Sequence, residues 1–414
     1  MIVAVQGLWH LGSVTAACLA KAGHHVIGID RDLKTVETHR ARKAPISEPG
    51  LDDLLAAHPI EVTSDLAAAA QADVLWVTYD TPVDADDRAD VDFVVTEVAA
   101  TLPHLRSGAV VLVSSQLPVG SVKRLEAIRG DLHHACSPEN LRLGKAIGVF
   151  TDPDRVILGV RDDETKRVLT ELFAPITAKL EWMSVESAEM TKHAINAFLA
   201  LSVTFANELA SVCEQVGADA KEVERGLKTE MRIGPKAYLA PGGAFAGGTL
   251  ARDVAFLTAI GQDHGLALPL LSGVRPSNEA HKKWARRRLE SLLGSLKGQR
   301  IAVFGLTYKP GTDTLRRSAS VELCQDLIAG GANVVAFDPA VTDAGGIELA
   351  RDPLAAVTGA SALVIATEWP MFATLDYAQL LGAMKRPLVL DANRFIAKQI
   401  GNAEYYAVGA PNRG

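Results

Sequence analysis

Cysteines and aromatic residues are scarce in this sequence, and so are long apolar or basic runs. The 414 residues include four cysteines, none in a CxxC pair, and only 5% aromatic residues. Scattered cysteines predict reduced thiols in a cytoplasmic protein, with neither disulfides nor a metal site. The net charge of −7 includes no basic run, so we expect no nucleic-acid partner. No uninterrupted apolar segment reaches the ~20 residues of a membrane span, and the N-terminus lacks a signal peptide, so we expect no membrane partner.

The chain is instead rich in short apolar runs that alternate with helical patterns. Its length suggests roughly two to three domains. Over the first ~180 residues this alternation predicts parallel βαβ units. The predicted strands are Ile2–Val5, His25–Ile29, Val74–Thr78, Ala109–Val113 and Arg155–Leu158.

The pattern changes in the middle of the chain. Residues 187–216 contain neither glycine nor proline and predict one long helix. Such a helix bridges domains or forms a dimer interface; a plain core helix is the alternative. A glycine-rich segment at 241–249 and a basic, polar helix at 278–293 follow.

A second strand-then-glycine start opens the last part of the chain, with strands at Val334–Phe337, Ala362–Ile365 and Leu388–Leu390. We therefore predict an α/β fold with two Rossmann-like doubly wound domains, joined by a long central helix and a helical middle domain. The predicted ranges are 1–183, 184–296 and 297–414.

The first loop has the glycine spacing of a dinucleotide fingerprint. It follows a strand, opens a helix, and Asp30 ends the next strand. The helix N-terminus can bind a pyrophosphate and Asp30 can bind ribose hydroxyls, which predicts NAD. Arg31 could favour a 2′-phosphate, but Asp30 disfavours it. The loop reads Gly7-Leu8-Trp9-His10-Leu11-Gly12.

Trp9 stands where this loop ordinarily has glycine, whose lack of a side chain lets the backbone approach the pyrophosphate. Three interpretations remain open. The indole turns aside, the cofactor is displaced, or the domain no longer binds a dinucleotide.

Many segments together resemble the UDP-glucose/GDP-mannose dehydrogenase family, and the resemblance runs through nearly the whole chain. The N-terminal ones are SEPGL (47–51), DTPVD (80–84), LPVGS (117–121), SPENLRLG (137–144) and PDRVILG (153–159). The later ones are AEMTKHAINAFLA (188–200), RIGPK (232–236), the glycine-rich loop ending at Asp253, GLTYKPGTD (305–313) and ATEWP (366–370). The family has two Rossmann-like domains and a dimerising helix. It uses two NAD to oxidise a nucleotide-sugar C6 hydroxyl to a carboxylate, through a cysteine thiohemiacetal.

The resemblance implies catalytic roles for four residues that match the family's motifs. Lys192 and Asn196, one turn apart on a helix, match the family residues that stabilise the developing oxyanion. Asp253 matches the aspartate that, with a water, takes the hydroxyl proton. Glu139 matches a glutamate that serves as base toward a hydrolytic water.

Three residues differ from the family pattern at positions that serve the second oxidation, from aldehyde to acid. The nucleophilic cysteine of the FGGSCFPKD loop is replaced by Thr249, the second glutamate by Leu143, and the water-positioning threonine by Gln116. A thiol ionises near pH ~8.5, whereas an alcohol needs an adjacent base. Thr249, which occupies the catalytic position, is therefore a poor nucleophile for capturing an aldehyde.

The resemblance also implies ligand contacts. Predicted cofactor-binding residues are Gly7, Trp9, His10, Leu11, Gly12, Asp30, Arg31, Thr81 and Gln116. Predicted substrate-binding residues are Lys236, Tyr238, Gly247, Lys309 and Arg316. Two further departures are Arg317, where the family has glutamate, and Asp80, where it usually has glycine.

Three functional hypotheses remain. The first is an NAD-dependent oxidoreductase that stops at a carbonyl, or returns the hydride to give an epimer, on a UDP- or GDP-linked sugar. The second still makes a uronic acid, through a hydrated aldehyde. The third is a non-catalytic nucleotide-sugar-binding protein, which Trp9 and Asp80 favour. A homodimer is expected in each case.

Overall fold

The computed structural model describes residues 1–82, 84, 89–139, 141–246 and 248–411. The chain forms two compact units, 1–195 and 196–414, and each is described by itself. The boundary falls within a helix of 32 residues, α8, which covers Val185–Val216. It begins two residues before the range that the sequence pattern predicted.

The first unit contains an eight-stranded sheet. Its strands are β1 Ile2–Gln6, β2 His25–Ile29, β3 Glu61–Thr63, β4 Val74–Val77, β5 Val110–Val113, β6 His133–Cys136, β7 Val156–Gly159 and β8 Leu180–Met183. Their order is β3-β2-β1-β4-β5-β6-β7-β8. Its helices are α1 His10–Lys21, α2 Leu33–Arg40, α3 Leu51–Ala57, α4 Val91–Thr101, α5 Ser121–Glu126, α6 Ala146–Thr151 and α7 Asp163–Phe173. Short 3₁₀ turns cover Leu66–Gln71 and Leu102–His104.

Alternate residues of the central strands build two cores, one on each face of this sheet. Ala4, Leu75 and Val111 belong to one buried cluster. Val5 and Trp76 belong to the other. Burying a side chain of this size contributes roughly 1.5–3 kcal/mol. The strands are apolar on both faces because helices cover both, as parallel sheets require.

The sheet is parallel, as the βαβ pattern predicted, except at one pair of neighbouring strands. β6 pairs with β7 in the antiparallel sense, whereas all the other neighbours are parallel. The sequence also gave no indication of β3, β6 or β8. β3 has only three residues and β6 begins with two histidines, so neither shows the apolar run by which buried parallel strands are recognised.

The second unit contains helices followed by a six-stranded parallel sheet. The helices before the sheet are α9 Ala220–Thr229, α10 Thr249–Asp263, α11 Pro269–Lys282 and α12 Trp284–Leu293. The strands are β9 Arg300–Phe304, β10 Asn333–Phe337, β11 Glu348–Leu349, β12 Ala362–Ile365, β13 Leu388–Asp391 and β14 Glu404–Tyr406, in the order β11-β10-β9-β12-β13-β14. Between them lie α13 Ala319–Ala329, α14 Pro353–Val357, a 3₁₀ turn at Pro370–Thr374 and α15 Tyr377–Ala383.

The single helix predicted at 278–293 is wrong, because the structure has two helices there. α11 begins earlier, with Pro269 in its first turn, where proline's fixed φ suits a helix start. Lys283 leaves helical geometry at φ −81° and ψ 5° and separates α11 from α12.

One helix in the described part of the chain, α8, is long and apolar enough to cross a membrane by length and composition. The core helix of a soluble protein passes the same test. α8 also contains the buried polar residues Glu189, His193, Asn196 and Asn207.

Candidate active site

The loop between β1 and α1 needs its first and last glycine for steric reasons. Gly7 has φ +92°, a conformation that L side chains rarely adopt. A Cβ on Gly12 would lie 1.8 Å from the carbonyl oxygen of Gly7. The loop therefore packs backbone against backbone and directs the first amides of α1 into the crevice between β1 and β4, where the strand order reverses. This is where open α/β sheets bind ligands.

Trp9 is exposed and is not buried in this crevice. Its side chain is 47% exposed, whereas the preceding Leu8 is fully buried. Trp9 stands at the N-cap of α1 without a side-chain capping hydrogen bond. The loop therefore keeps a dinucleotide cradle, which favours the interpretation in which the indole is turned aside.

Asp30 directly follows the last residue of β2, and its carboxylate holds the loop. Oδ2 accepts a hydrogen bond from Leu8 N at 2.7 Å, and Oδ1 accepts one from Asp32 N at 2.9 Å. The neighbouring Arg31 donates to Glu97 at 3.0 Å. Because Glu97 already balances the Arg31 charge, this end of the site favours ribose hydroxyls over a 2′-phosphate.

His10 connects the loop to the SEPGL segment. Its Nε2 lies 2.9 Å from Glu48 Oε2. Glu48 also accepts hydrogen bonds from the backbone amides of Gly144 (2.7 Å) and Ala146 (2.9 Å). Burial acts to raise the Glu48 pKa, but these amides and His10 outweigh it and lower that pKa. Glu48 is therefore a buried anion that ties two loops together.

Thr81 and Gln116, both predicted cofactor-binding residues, lie together at the carboxyl ends of β4 and β5. The Thr81 hydroxyl donates to the Gln116 carbonyl oxygen at 2.8 Å. Since this bond uses backbone, the Gln116 side chain is not fixed by it.

Lys192 and Glu139 form an ion pair in the first unit. Lys192 Nζ donates to the Glu139 carbonyl oxygen at 2.7 Å and lies 3.4 Å from Glu139 Oε1. Gln116 and this pair line a cavity of about 20 Å³, which is room for one water molecule. A cation and a carboxylate therefore border this small cavity.

Asn196 and Asp253 form a buried pair in the second unit. The Asn196 amide donates to Asp253 Oδ2, and Asp253 has no exposed surface. Thr249 is the first residue of α10 and is exposed. Among the described residues, no histidine or carboxylate accepts a hydrogen bond from its hydroxyl, so no base is in place to make it a nucleophile.

None of the four cysteines offers a replacement for the family's thiol, because all four are buried. Burial raises the pKa of Cys18 and of Cys324 to about 12. Cys136 lines the one-water cavity, but burial, with a smaller effect of Glu189, raises its pKa well above the usual range. Thiolate chemistry is therefore disfavoured at these three positions.

Four polar side chains that the sequence did not single out hold the glycine-rich loop. Asn207 Oδ1 accepts from Gly242 N at 3.0 Å, and the His281 ring donates to the Gly242 carbonyl oxygen at 2.8 Å. Burial lowers the His281 pKa, so the ring is neutral. Asn393 accepts from Gly243 N at 2.8 Å. Sequence reasoning could not find these residues because they are distant in the chain and carry no motif.

The fourth residue, Asn278, binds Phe245 through both backbone groups, at 3.0 Å and 2.8 Å. A Cβ on Gly242 would lie 2.0 Å from Asn393 Oδ1, which explains the requirement for glycine. The loop is therefore a rigid platform within the second unit.

This platform borders a cavity of about 620 Å³ that Lys309 also lines, a size that suits a nucleotide sugar. Among the described residues, no carboxylate pairs with Lys309, whereas Lys282 in the same cavity contacts Glu279 and Glu322. Of the other predicted substrate residues, Lys236, Tyr238 and Arg316 are exposed and do not line this cavity. Gly247 lies outside the described residues.

A glycine cradle at the switch point of a mostly parallel sheet, with a partly buried lysine–carboxylate pair and a buried asparagine–aspartate pair, is typical of a dinucleotide-dependent oxidoreductase. Models of the UDP-glucose/GDP-mannose dehydrogenase family match three parts of the chain. These are the NAD binding domain at 1–177, the central domain at 186–280 and the UDP binding domain at 302–398.

Individual relatives match over the whole chain. A UDP-glucose 6-dehydrogenase of Rhizobium meliloti (strain 1021) is 34% identical over 438 aligned residues, covering 100% of both chains. One of Pseudomonas aeruginosa is also 34% identical, covering 100% of this chain and 98% of its own. The structure of a UDP-glucose dehydrogenase from Pyrobaculum islandicum is 29% identical, with a TM-score of 0.86 and coverage of 99% and 98%.

The chain belongs to the UDP-glucose/GDP-mannose dehydrogenase family. It is an NAD-dependent oxidoreductase that acts on the CH–OH group of a nucleotide sugar.

Proposed function

We propose that this enzyme catalyses a single two-electron oxidation of a UDP-linked sugar and releases a carbonyl product. The observation that carries the proposal is at Thr249, which is exposed and lacks a hydrogen-bonded base where the family has its nucleophilic cysteine. The buried cysteines do not compensate. Without covalent capture, nothing holds the aldehyde for a second oxidation.

The catalytic groups have separate tasks. Asp253, held by Asn196, accepts the hydroxyl proton through a water molecule. Lys192 and Asn196 stabilise the negative charge that develops on the substrate oxygen. Bound NAD supplies the hydride acceptor. The balance is one CH–OH group and one NAD⁺ converted to one C=O group, one NADH and one proton.

The relatives' names support UDP-glucose as the first substrate to test, with oxidation at C6. C6 carries a primary hydroxyl, so returning the hydride there regenerates the substrate. An epimer therefore requires oxidation at a secondary carbon. The cavity beside Lys309 is the proposed site of the nucleotide-sugar diphosphate.

A second candidate is supported by the one-water cavity beside Gln116 and the Lys192–Glu139 pair. There, Glu139 would activate water to hydrate the aldehyde, and the hydrate would lose a second hydride to another NAD⁺. This candidate yields a uronic acid and two NADH per sugar.

We further propose a cytoplasmic homodimer with domains at 1–183, 184–296 and 297–414. The outward face of α8 supports the dimer. Phe198, Phe205 and Val212 recur every seven residues and are 66%, 49% and 56% exposed. A stripe with this spacing suits packing against a second helix. An exposed apolar stripe of this kind marks an interface.

The deciding experiment incubates the purified protein and NAD with UDP-glucose and a panel of other UDP- and GDP-sugars. The proposal expects a product lighter than its substrate by two hydrogens and one NADH per sugar. A product that has gained an oxygen with two NADH supports the second candidate. If the protein binds NAD but the sugar keeps its mass and no NADH forms, the proposal is wrong. Chromatographic separation of the sugars then shows whether an epimer has formed.

A further inference from the structure

Arg31 stands at the carboxyl end of β2, directly after Asp30. An acidic residue at this place binds the ribose hydroxyls of NAD, whereas an arginine nearby accommodates the 2′-phosphate of NADP. The Arg31 side chain is 57% exposed, and its guanidinium is always charged. The chain therefore carries, side by side, one residue that suits each cofactor.

A carboxylate from another part of the chain holds Arg31. The Arg31 Nη1 group donates to Glu97 Oε1 at 3.0 Å. Glu97 belongs to α4, 66 residues away along the chain, and its side chain is only 15% exposed. Water therefore screens this carboxylate less than it screens the guanidinium.

The position of Glu97 is fixed by residues at the ends of β1 and β4. Gln6 Nε2 donates to the Glu97 carbonyl oxygen at 3.0 Å and to the Tyr79 hydroxyl at 3.2 Å. That hydroxyl in turn donates to Glu97 Oε2 at 3.4 Å. A Cβ on Gly7 would lie 2.8 Å from Tyr79 Cδ1, so the phenol ring packs directly against the glycine loop. The residues around the cofactor crevice thus hold this carboxylate in a fixed place.

The charges at this edge of the crevice oppose an additional phosphate. Asp30 and Glu97 place two carboxylates beside the single guanidinium of Arg31. Asp30 accepts hydrogen bonds from the backbone amides of Leu8 and Asp32, at 2.7 Å and 2.9 Å, so its charge stays beside the loop. A 2′-phosphate would have to draw Arg31 away from Glu97, and a largely buried carboxylate would then lose its partner.

We propose that Glu97 masks a latent 2′-phosphate site at Arg31 and is a specificity-determining residue for NAD over NADP. Asp30 suits the ribose hydroxyls, and Glu97 keeps the neighbouring arginine from offering its charge to a phosphate. Neutralising Glu97 releases Arg31, and the chain then accepts both dinucleotides. This role belongs to the cofactor site and is the same whichever sugar product the enzyme releases.

Isothermal titration of NAD and NADP into the wild type, Glu97→Gln, Arg31→Ala and the variant with both changes tests the proposal. Glutamine keeps the size of the side chain and the backbone contact with Gln6 but lacks the charge. Because one partner of the ion pair is exposed, the pair adds little to folding stability, so the variants should fold. We expect Glu97→Gln to bind NADP about fivefold more tightly or better, with NAD affinity changed by less than about twofold.

Two comparisons separate release of Arg31 from a general change in the crevice. The gain for NADP should vanish when Arg31→Ala is added to Glu97→Gln. Adenosine 2′,5′-bisphosphate should gain affinity in Glu97→Gln, whereas ADP, which has no 2′-phosphate, should not. Glu171→Gln is the matched control, because it also takes a glutamate from an arginine, Arg167 at 3.6 Å, but on α7.

An unchanged ratio of NADP to NAD affinity in folded Glu97→Gln overturns the proposal. A gain that persists without Arg31, or an equal gain for ADP, also overturns it. The same holds for a wild type that binds neither dinucleotide.

Discussion

Lys192 Nζ lies 2.7 Å from the carbonyl oxygen of Glu139 and 3.4 Å from its carboxylate. The ammonium is thus held in place before any substrate arrives, which reduces the reorganisation needed to stabilise an oxyanion. Its side chain is only 12% exposed, so its charge is screened by water less than a surface charge. This relationship makes Lys192 the first residue to test.

Replacing Lys192 by alanine should lower kcat by roughly 10²- to 10³-fold, because it removes one charged donor to the developing alkoxide. Initial rates of NADH formation with the substrate identified by the panel measure this. Lys123→Ala, an exposed lysine of α5 in the same unit, is the control and should keep its rate. A near-normal kcat for Lys192→Ala contradicts its assigned role.

Replacing Thr249 by cysteine should raise the yield from one NADH per sugar toward two. The new thiol can ionise near neutral pH and capture the aldehyde, which a hydroxyl without a base cannot. Mass spectrometry of the product, together with total NADH, measures the change. Thr249→Ser supplies the matched control and should remain at one. If the wild type already produces two, the single-oxidation proposal is wrong.

Glu48 should stabilise the fold in a pH-dependent way. Its pKa is lowered in the folded state, so its contribution is fully present above the unfolded value of ~4.3 and is lost as the pH falls through the lower folded value. Glu48→Ala leaves two backbone amides without their acceptor and should cost about 1–3 kcal/mol near neutral pH.

Denaturant unfolding of the wild type and Glu48→Ala at a series of pH values checks this. The difference between their free energies of unfolding should shrink in acid. Glu61→Ala, which removes a glutamate that is exposed on β3, should show no such difference. A gap that stays constant to the acid limit would mean that the Glu48 charge does not matter.

The exposed stripe of α8 should control assembly. Phe198→Asp combined with Phe205→Asp places two charges in the proposed interface, where they would be buried without partners. Sedimentation velocity should then show a monomer where the wild type is a dimer. Ile128→Asp changes an exposed apolar residue elsewhere and should leave the dimer intact. A monomeric wild type refutes the dimer proposal.

Much of the fold could be predicted from local patterns. The apolar runs of β1, β2, β4 and β5 and the uninterrupted helix α8 were recognisable because their residues are buried on two faces or recur at helical spacing. Elements without such runs were not predicted from the sequence. The break between helices at Lys283 and the antiparallel pairing of β6 with β7 were not predicted either. The direction in which two strands pair depends on packing between distant segments, which no local sequence pattern records.

Some residues of the candidate site could be predicted from the sequence and others could not. Lys192, Asn196, Asp253 and Thr249 were identifiable because each stands in a contiguous motif. Asn207, Asn278, His281 and Asn393 were not, since each contacts the glycine-rich loop from at least 33 residues away in the chain.

The sequence by itself determined the alternation of strands and helices, the dinucleotide loop and the loss of the motif cysteine, because these depend on residue type and spacing along the chain. Only the tertiary structure decided that Trp9 is exposed, that Lys192 pairs with Glu139 and that the four cysteines are buried. Each of these depends on which distant segments pack together, and packing sets the solvation and charge on which reactivity depends.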